Sequence, residues 1–422
     1  MMNVHTTPQL TPAEAALVDG FFERFSDLPG DPAVVVKRDD AVERLKAGLP
    51  TRRVEAWHYT DLRRLLTNVP AWDPTLGAAA IAPLVEGSTV LPILNGVAGE
   101  GAKIEGVTVA GVAGKLTDGT YAAALGAQDD ADLVGAINTA FVADGYFLDI
   151  EAGVELAAPI ELQNMQAGGQ THVRLPVRVG DGARATIVER QGGTGDALVS
   201  SVVNLTVGDG ADVTWVIVQE QPDAATHLGQ FNAWIGKDAK LTLFIMNVGG
   251  KLVRQEVRVE TRGEGGDFQL RGVNLLAGET HCDVTMVLDH SHPHTTSSEL
   301  IRNVITDHAK GVFQGQIRVS RVAQKTDAKM ACNALLLSDD ADFSVKPELE
   351  IFADDVACGH GATVTEIDSD HLFYLMARGV DEKSARGLLV KAFLAEVVEE
   401  LEDEALVEAL EAKLDAWFAE HG

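Results

Sequence analysis

Residues 179–239 read VGDGARATIVERQGGTGDALVSSVVNLTVGDGADVTWVIVQEQPDAATHLGQFNAWIGKDA, and this stretch decides the fold. The pentapeptide VGDGA at residues 179–183 returns at 207–211, and again as IGKDA at 235–239, with an offset of 28 residues each time. A weaker copy around residues 263–267 continues the series. Repeats of about 20–50 residues are typical of stacked supersecondary units.

Each unit also carries an apolar, β-branched run after its turn, as in ATIVE, VTWVIV and LTLFIM. Apolar and polar side chains alternate poorly in these runs, which indicates that both faces of each strand are covered or that successive coils stack. A β-solenoid meets these constraints. An antiparallel β-sandwich is the alternative that the pattern leaves open.

Helical patterns precede the repeats. The first helix is predicted to begin after Thr11, with Pro12 at its first position and Glu14 completing a capping box. It should run to about Phe25, and the residues of its buried side are Leu17, Phe21 and Phe25.

Further helices are predicted over residues 39–47 and 129–143, separated by an irregular α/β region at 68–128. We therefore divide the chain into an N-terminal helical and irregular α/β region (1–145), a β-helix core (146–366) and a C-terminal helical region (367–422).

The C-terminal region shows apolar residues at four-residue spacing, which predicts amphipathic helices. The first set is Leu389, Phe393, Val397 and Leu401, and the second, after the interruption EDEA at residues 402–405, is Leu406, Leu410, Leu414 and Phe418. One face of each helix must be buried, either against the solenoid or against a partner subunit. Docking of a partner subunit is the sharper hypothesis.

Composition narrows the classes of function. The 422 residues carry 34 Lys and Arg against 63 Asp and Glu, a net charge of −29, which argues against binding to nucleic acid or anionic membranes. Three widely spaced cysteines signal no disulfide framework and suit a reducing cytoplasm. Neither a signal peptide nor a membrane span is expected.

Several enzyme motifs are missing from the sequence. It has no G-x-x-x-x-G-K-[ST] phosphate-binding loop, so we expect no ATP hydrolysis by this chain. Neither a dinucleotide-binding glycine motif in strand–helix context nor a nucleophile elbow occurs.

Two groups of residues are candidate metal ligands. Cys358 and His360, flanked by Gly359 and Gly361, would share a strand face, but two ligands do not complete a site and a partner would have to supply the rest. A buried cysteine beside a hydrogen-bonded histidine is the simpler interpretation.

The second group follows the pattern H-x-H-x-H, and its members are His290, His292 and His294. On a strand their imidazoles would share one face and could bind zinc or iron. Pro293 makes a loop at least as consistent with the sequence, because proline interrupts a strand ladder.

Several motifs resemble those of a known family. These are RVEAWHYT at residues 53–60 and, between residues 289 and 395, HTTSSELIRN, KGVFQGQIRV, NALLLSDDA, CGHGATV and LFYLMARG. They are similar to the SufB/SufD family, the scaffold subunits of the SUF iron–sulfur cluster assembly complex. Ala341 and Gly361 stand where SufB-like members carry cysteine and glutamate, so the resemblance is to the SufD-like branch.

The resemblance implies a mainly β fold, a right-handed parallel β-helix flanked by helical ends. It further implies a cytoplasmic, non-enzymatic scaffold that pairs with SufB through the β-helix and docks the separate SufC ATPase through its C-terminal helices. His360, with Cys358 as a less certain helper, would be a metal ligand for a nascent iron–sulfur cluster shared with SufB. Reduced flavin is associated with the complex, without a residue signal here.

Two other classes of function stay open on the residues alone. A β-helical enzyme acting on polysaccharide is disfavoured by the low aromatic content, 5% of residues, and by the long C-terminal helices. A homodimeric metal-binding protein would use the histidine group at residues 290–294.

Overall fold

A parallel β-solenoid forms the body of the molecule in the computed structural model, which describes residues 9–73, 75–129 and 131–421. Its strands are β1 (Thr89–Leu94), β2 (Val97–Ala98), β3 (Val107–Gly111), β4 (Tyr146–Ile150), β5 (Ile160–Gln166), β6 (Gly169–Val179), β7 (Arg184–Gly193), β8 (Ala197–Val207), β9 (Asp212–Glu220), β10 (Thr226–Ile235), β11 (Lys240–Val248), β12 (Leu252–Thr261), β13 (Asp267–Leu276), β14 (His281–His290), β15 (Thr296–Ile305), β16 (Lys310–Val319), β17 (Asp327–Leu336), β18 (Asp342–Ile351) and β19 (Ala357–Thr365).

Helices come before and after the main run of solenoid strands in the sequence. They are α1 (Pro12–Arg24), α2 (Pro32–Lys46), α3 (Leu62–Leu65), α4 (Val112–Thr117), α5 (Leu133–Phe141), α6 (Ser369–Met376), α7 (Glu382–Glu399) and α8 (Glu404–His421). None of these helices is long and apolar enough to cross a membrane.

The strands form two sheets, and each coil contributes one strand to each. Sheet A has the order β19-β17-β15-β13-β11-β9-β7-β5-β1-β2, and sheet B the order β18-β16-β14-β12-β10-β8-β6-β4-β3. From β5 onward each strand pairs in parallel with the strand two places later. The predicted β-helix with helical ends is confirmed, and the antiparallel sandwich is wrong.

The sequence repeat sets the register between coils. Val179 pairs with Val207, and Val207 pairs with Ile235, so the three pentapeptides lie directly beside one another at one corner of the solenoid. The 28-residue period is therefore the length of one coil in this part of the chain.

The glycines of the repeat have a conformational reason. Gly182 and Gly210 have φ values of 64° and 66°, in the left-handed region that glycine enters without steric cost. Their N–H groups donate to the carbonyls of Asp209 and Lys237 in the next coil, at 2.8 Å and 2.7 Å. Asp238 holds the same position in the third copy with φ 51°, and aspartate tolerates this conformation better than most residues.

Apolar side chains pack in three places, which are the interior of the solenoid and the outer face of each sheet. The interior is filled by residues such as Trp215, Phe231, Leu243, Phe268 and Phe313. N-terminal residues such as Phe21, Trp57, Ile137 and Phe141 cluster with Leu198, Leu228 and Leu252 on the outer face of sheet B. The C-terminal helices contribute Leu394, Val397, Leu410 and Trp417, which pack on Val216, Phe244 and Val273 of sheet A. Because both sheets are covered, strict alternation disappears from the sequence.

Three helices differ from the predicted ones in their boundaries. The capping box of Thr11 and Glu14 is present, but Phe25 lies beyond the end of α1 and is 39% exposed, so its predicted burial is wrong. The second helix begins at Pro32 rather than residue 39, because Asp31 caps it and accepts a hydrogen bond from the Val34 N–H at 2.9 Å. α5 is shorter than predicted and is capped by Asp132.

Candidate functional site

Cys358 and His360 lie on β19, the last strand of sheet A. In the parallel register Cys358 pairs with Ala328 and His360 with Met330. Ala328 and Met330 belong to the solenoid core, and paired residues of parallel strands point to the same face. The predicted shared face is therefore the inward one, at the open end of the solenoid.

The two candidate ligands differ in accessibility. Cys358 is half-buried and packs against the core, whereas His360 is exposed. Burial raises the pKa of the Cys358 thiol, and the carboxylates of Asp327 and Glu299 raise it further, against a hydrogen bond from the backbone of Ala328 that lowers it. The sulfur is therefore a neutral thiol at neutral pH, and a metal ion would have to displace its proton.

The chain offers an incomplete ligand set at this end. Among the described residues, no group of three or more His, Cys, Asp and Glu side chains is placed to hold a metal ion. Cys358 and His360 supply one soft sulfur and one imidazole, which suit iron or zinc. The described residues at this end can therefore donate two ligands to a metal centre but do not complete one.

Both sheets end here in an edge strand. Within the described residues, β19 has a neighbouring strand only on its β17 side, and β18 only on its β16 side. Most of β19 is exposed, and β18 carries Pro347, a residue that strands tolerate at sheet edges. Exposed edge strands can pair with strands of another chain.

A buried carboxyl group lies two coils below the rim. Glu299 of β15 pairs with Met330, which pairs with His360, so the three residues form one inward-facing column. Burial raises the pKa of Glu299 to about 8. No sequence signal distinguished this glutamate from the many exposed ones.

The histidines of the H-x-H-x-H pattern do not converge. His290 ends β14 and is buried, with its ring nitrogens hydrogen-bonded to Thr295 Oγ1 at 2.8 Å and to Ser297 Oγ at 3.2 Å. Burial lowers its pKa to about 4. His292 and His294 lie in the following turn and are exposed. The loop interpretation of this segment is confirmed, and His290 fills a structural role here.

The RVEAWHYT segment forms a buried junction with sheet B. Trp57 is 1% exposed, and the Arg254 guanidinium lies 3.8 Å from its ring centroid. Arg254 also donates to the Ala56 carbonyl at 2.9 Å and pairs with Asp283 at 2.5 Å. Thr60 donates to the same Asp283 carboxylate. These contacts attach the N-terminal region to the solenoid.

The predicted docking stripe of the C-terminal helices is partly enclosed by the chain itself. Val397 and Leu401 are buried against sheet A, and Leu389 and Phe393 are half-buried. The Arg302 guanidinium lies 4.6 Å from the Phe393 ring centroid.

Other apolar side chains of the same region are free of the chain's own core. Phe373 is 72% exposed, Tyr374 54%, Met376 42% and Leu388 51%. No residue of α6 is buried. The signal in the sequence is the run LFYLM, since an eight-residue helix with apolar residues on every side cannot bury all of them on one neighbour.

Comparison with known proteins identifies the family. Residues 162–393 match the model of the SufBD core domain of the SUF system for FeS cluster assembly. The chain is 29% identical over 399 residues to an iron–sulfur cluster assembly SufBD family protein of Synechocystis sp., with 88% of each chain covered. It is 26% identical to the iron–sulfur cluster assembly protein SufD of Escherichia coli over 88% of this chain and 89% of that one. Identity to the SufD protein of Bacillus subtilis is 29% over 68% of each chain.

The matched region spans more than half of the chain and contains both Cys358 and His360. These matches link the solenoid to the assembly of iron–sulfur clusters. The chain belongs to the SufB/SufD family of the SUF system, and within that family it is SufD-like.

Proposed function

We propose that this chain is a non-catalytic scaffold subunit on which an iron–sulfur cluster is assembled together with a SufB sister subunit and a SufC ATPase. The observation that carries the proposal is the open end of the solenoid, where His360 is exposed on an edge strand beside the half-buried Cys358. This end has unpaired strand edges and an unfinished ligand set in the same place.

The sister subunit would pair with β18 and β19. Edge strands satisfy their backbone groups by pairing, and a second solenoid offers matching edges. Such pairing would bring the sister's side chains to within reach of Cys358 and His360, which supply only two ligands. The nascent cluster is then the cargo of the interface rather than a resident group of either chain.

The ATPase would dock on the exposed apolar surface of α6 and α7. Its residues are Phe373, Tyr374, Met376 and Leu388. The stripe of Leu389, Phe393, Val397 and Leu401 is less suitable, because Val397 and Leu401 already pack on sheet A. ATP hydrolysis would belong to the partner, since this chain carries no phosphate-binding loop.

Two further expectations belong to this proposal. The complex works in the reducing cytoplasm, which suits three free cysteines. Reduced flavin would be a component of the complex as a whole, and we assign no residue of this chain to it.

Co-expression with SufB and SufC partners tests the cluster site. His360→Ala should leave the purified complex intact, because this side chain is exposed, but should lower its iron and acid-labile sulfide severalfold. The matched control is His308→Ala, an exposed histidine on a turn remote in sequence from β19. Equal iron contents in the two variants would contradict the assignment of His360.

Size analysis of the same preparations tests the docking surfaces. The double change Phe373→Ser and Tyr374→Ser should release the ATPase and retain the sister subunit. Phe22→Ser on α1 is the control, since Phe22 is 57% exposed and is far in sequence from α6. Retention of the ATPase by the double variant would exclude α6 as its docking surface. If the purified chain forms a homodimer that persists when the sister subunit is added, the alternative of a homodimeric protein would be favoured.

A further inference from the structure

A column of polar side chains runs inside the solenoid along sheet A. Its members are paired in register from coil to coil, and they are Asn164, Gln191, Gln219, Asn247, Asn274 and Asn303. At one end the amides bond directly: Asn247 Nδ2 donates to Asn274 Oδ1, and Asn274 Nδ2 to Asn303 Oδ1, both at 2.7 Å. Stacked asparagines of this kind stabilise parallel coils.

A second set of polar groups faces this column from sheet B. Ser201, Gly229 and Gln255 are neighbours in register on β8, β10 and β12, and His227 precedes Gly229 by two residues on the same face. A methyl group built on Gly229 would lie 2.0 Å from Gln255 Oε1 and 2.9 Å from His227 Nε2. The glycine therefore leaves room for both polar side chains, which form an interior niche with Ser201.

The niche is connected to the column across the interior. Ser201 Oγ donates to Glu189 Oε1 at 2.8 Å, and Trp215 Nε1 donates to Glu189 Oε2 at 3.3 Å. Gln191 Nε2 donates to the same carboxylate. Both carboxylate oxygens of Glu189 therefore accept hydrogen bonds. Gln191 lies beside Asn164 of β5 in the strand register.

Several polar atoms of this region lack a protein partner among the described residues. They are both ring nitrogens of His227, Nε2 of Gln255, Oε1 of Gln191, and both Nδ2 and Oδ1 of Asn164. The four side chains are at most 2% exposed. Buried donors and acceptors are almost always hydrogen-bonded, because an unpaired one loses its hydration without compensation.

We propose that this niche binds water inside the solenoid, beside the side chains of His227 and Gln255, whose unpartnered atoms lie together at Gly229. Water fits because the unpartnered atoms include both donors and acceptors, and a buried water makes about two to four hydrogen bonds to such groups. An ion of either sign would meet groups of the wrong polarity. Burial lowers the pKa of His227 to about 3, so its neutral ring offers one donor and one acceptor.

A high-resolution crystal structure of the unmodified chain tests the proposal directly. We expect ordered water bonded to His227 Nε2 or Nδ1 and to Nε2 of Gln255. The proposal is overturned if these side chains bond one another instead, or if no density lies between them. Anomalous scattering at the position would show an ion and would also overturn it.

Water relaxation dispersion provides an independent test in solution, because it counts long-lived internal waters. The double change His227→Leu and Gln255→Leu should remove at least one of them. Leu288→Met, which exchanges one apolar group for another at a buried interior position of β14, should leave the count unchanged. An unchanged count in the folded double variant would contradict the proposal, and if that variant does not fold the crystal structure decides.

Discussion

Asp283 is the residue on which the N-terminal junction converges. Its carboxylate is fully buried and accepts from Arg254 at 2.5 Å, from Thr60, and from Thr285 at 2.8 Å. Asp283→Ala should lower the free energy of unfolding by about 3 kcal/mol, because it leaves the buried Arg254 charge with Glu256 as its remaining carboxylate partner. Urea unfolding measures the change.

An exposed ion pair on the same sheet is the control for this prediction. Arg318 of β16 is 49% exposed and lies between Asp289 and Glu350. Arg318→Gln should cost less than about 1 kcal/mol, since solvent screens exposed pairs. Similar losses in the two variants would show that burial does not set the strength of these pairs.

Glu299 should give the stability of the molecule a pH dependence. Its folded pKa of about 8 lies above the ordinary value of 4.5, so between these values the folded chain keeps a proton that the unfolded chain loses. The contribution of Glu299 to stability is therefore fully present below pH 4.5 and falls as pH rises, by up to about 4 kcal/mol at pH 8.

Glu299→Gln tests this dependence, because glutamine stays neutral. The free energy of unfolding of the variant minus that of the unmodified chain should increase from about pH 5 to about pH 8. Urea unfolding at several pH values gives this difference. A difference that stays constant across the range would rule out titration of Glu299 in this window.

The register of the strands was more predictable from the sequence than the boundaries of the helices. The stacking of Val179, Val207 and Ile235 followed from the constant 28-residue offset of the repeat, since a fixed coil length sets the register without knowledge of distant contacts. The predicted start of α2 at residue 39 is wrong, because the capping residue is Asp31, directly before Pro32. Phe25 fits the apolar spacing of α1 but lies past its end.

The attachment of α7 to the solenoid can be tested at one ion pair. Arg271 of β13 is mostly buried, pairs with Glu400 at the end of α7, and donates to the Ser298 carbonyl at 2.6 Å. Glu400→Gln should accelerate hydrogen exchange in α7 and α8 about fivefold, as expected for a loss of about 1 kcal/mol, and leave the solenoid strands unchanged.

Glu402→Gln is the matched control, because Glu402 is 92% exposed and lies 3.8 Å from Lys240. It should leave the exchange rates of both helices unchanged. Faster exchange throughout the solenoid in Glu400→Gln would mean that the helices and the coils unfold as a single unit.

In the whole molecule, the strand face shared by Cys358 and His360 was predictable from the sequence, but the place of that strand in the fold was not. The two-residue spacing of Cys358 and His360 correctly gave a shared strand face, because side chains alternate along a strand. That this strand is the last one, with His360 at an open end, depends on where the coils stop. Likewise, the spacing of Val397 and Leu401 required a buried face, but it could not say whether a partner or the chain's own sheet A covers it.

The outer face of sheet A is covered by the C-terminal helices. Helices α7 and α8 bury a row of apolar side chains on the outer face of this sheet, among them Val216, Phe244 and Val273. Removing residues 381–422 should expose this row, so the shortened chain should bind an apolar dye such as ANS strongly and self-associate.

Loss of the ATPase from that chain would therefore not locate the docking surface. The full-length Phe373→Ser and Tyr374→Ser variant, which removes only exposed side chains, should stay monodisperse with dye binding no higher than that of the unmodified chain. A monodisperse shortened chain with unchanged dye fluorescence would mean that sheet A does not need the helices as a cover.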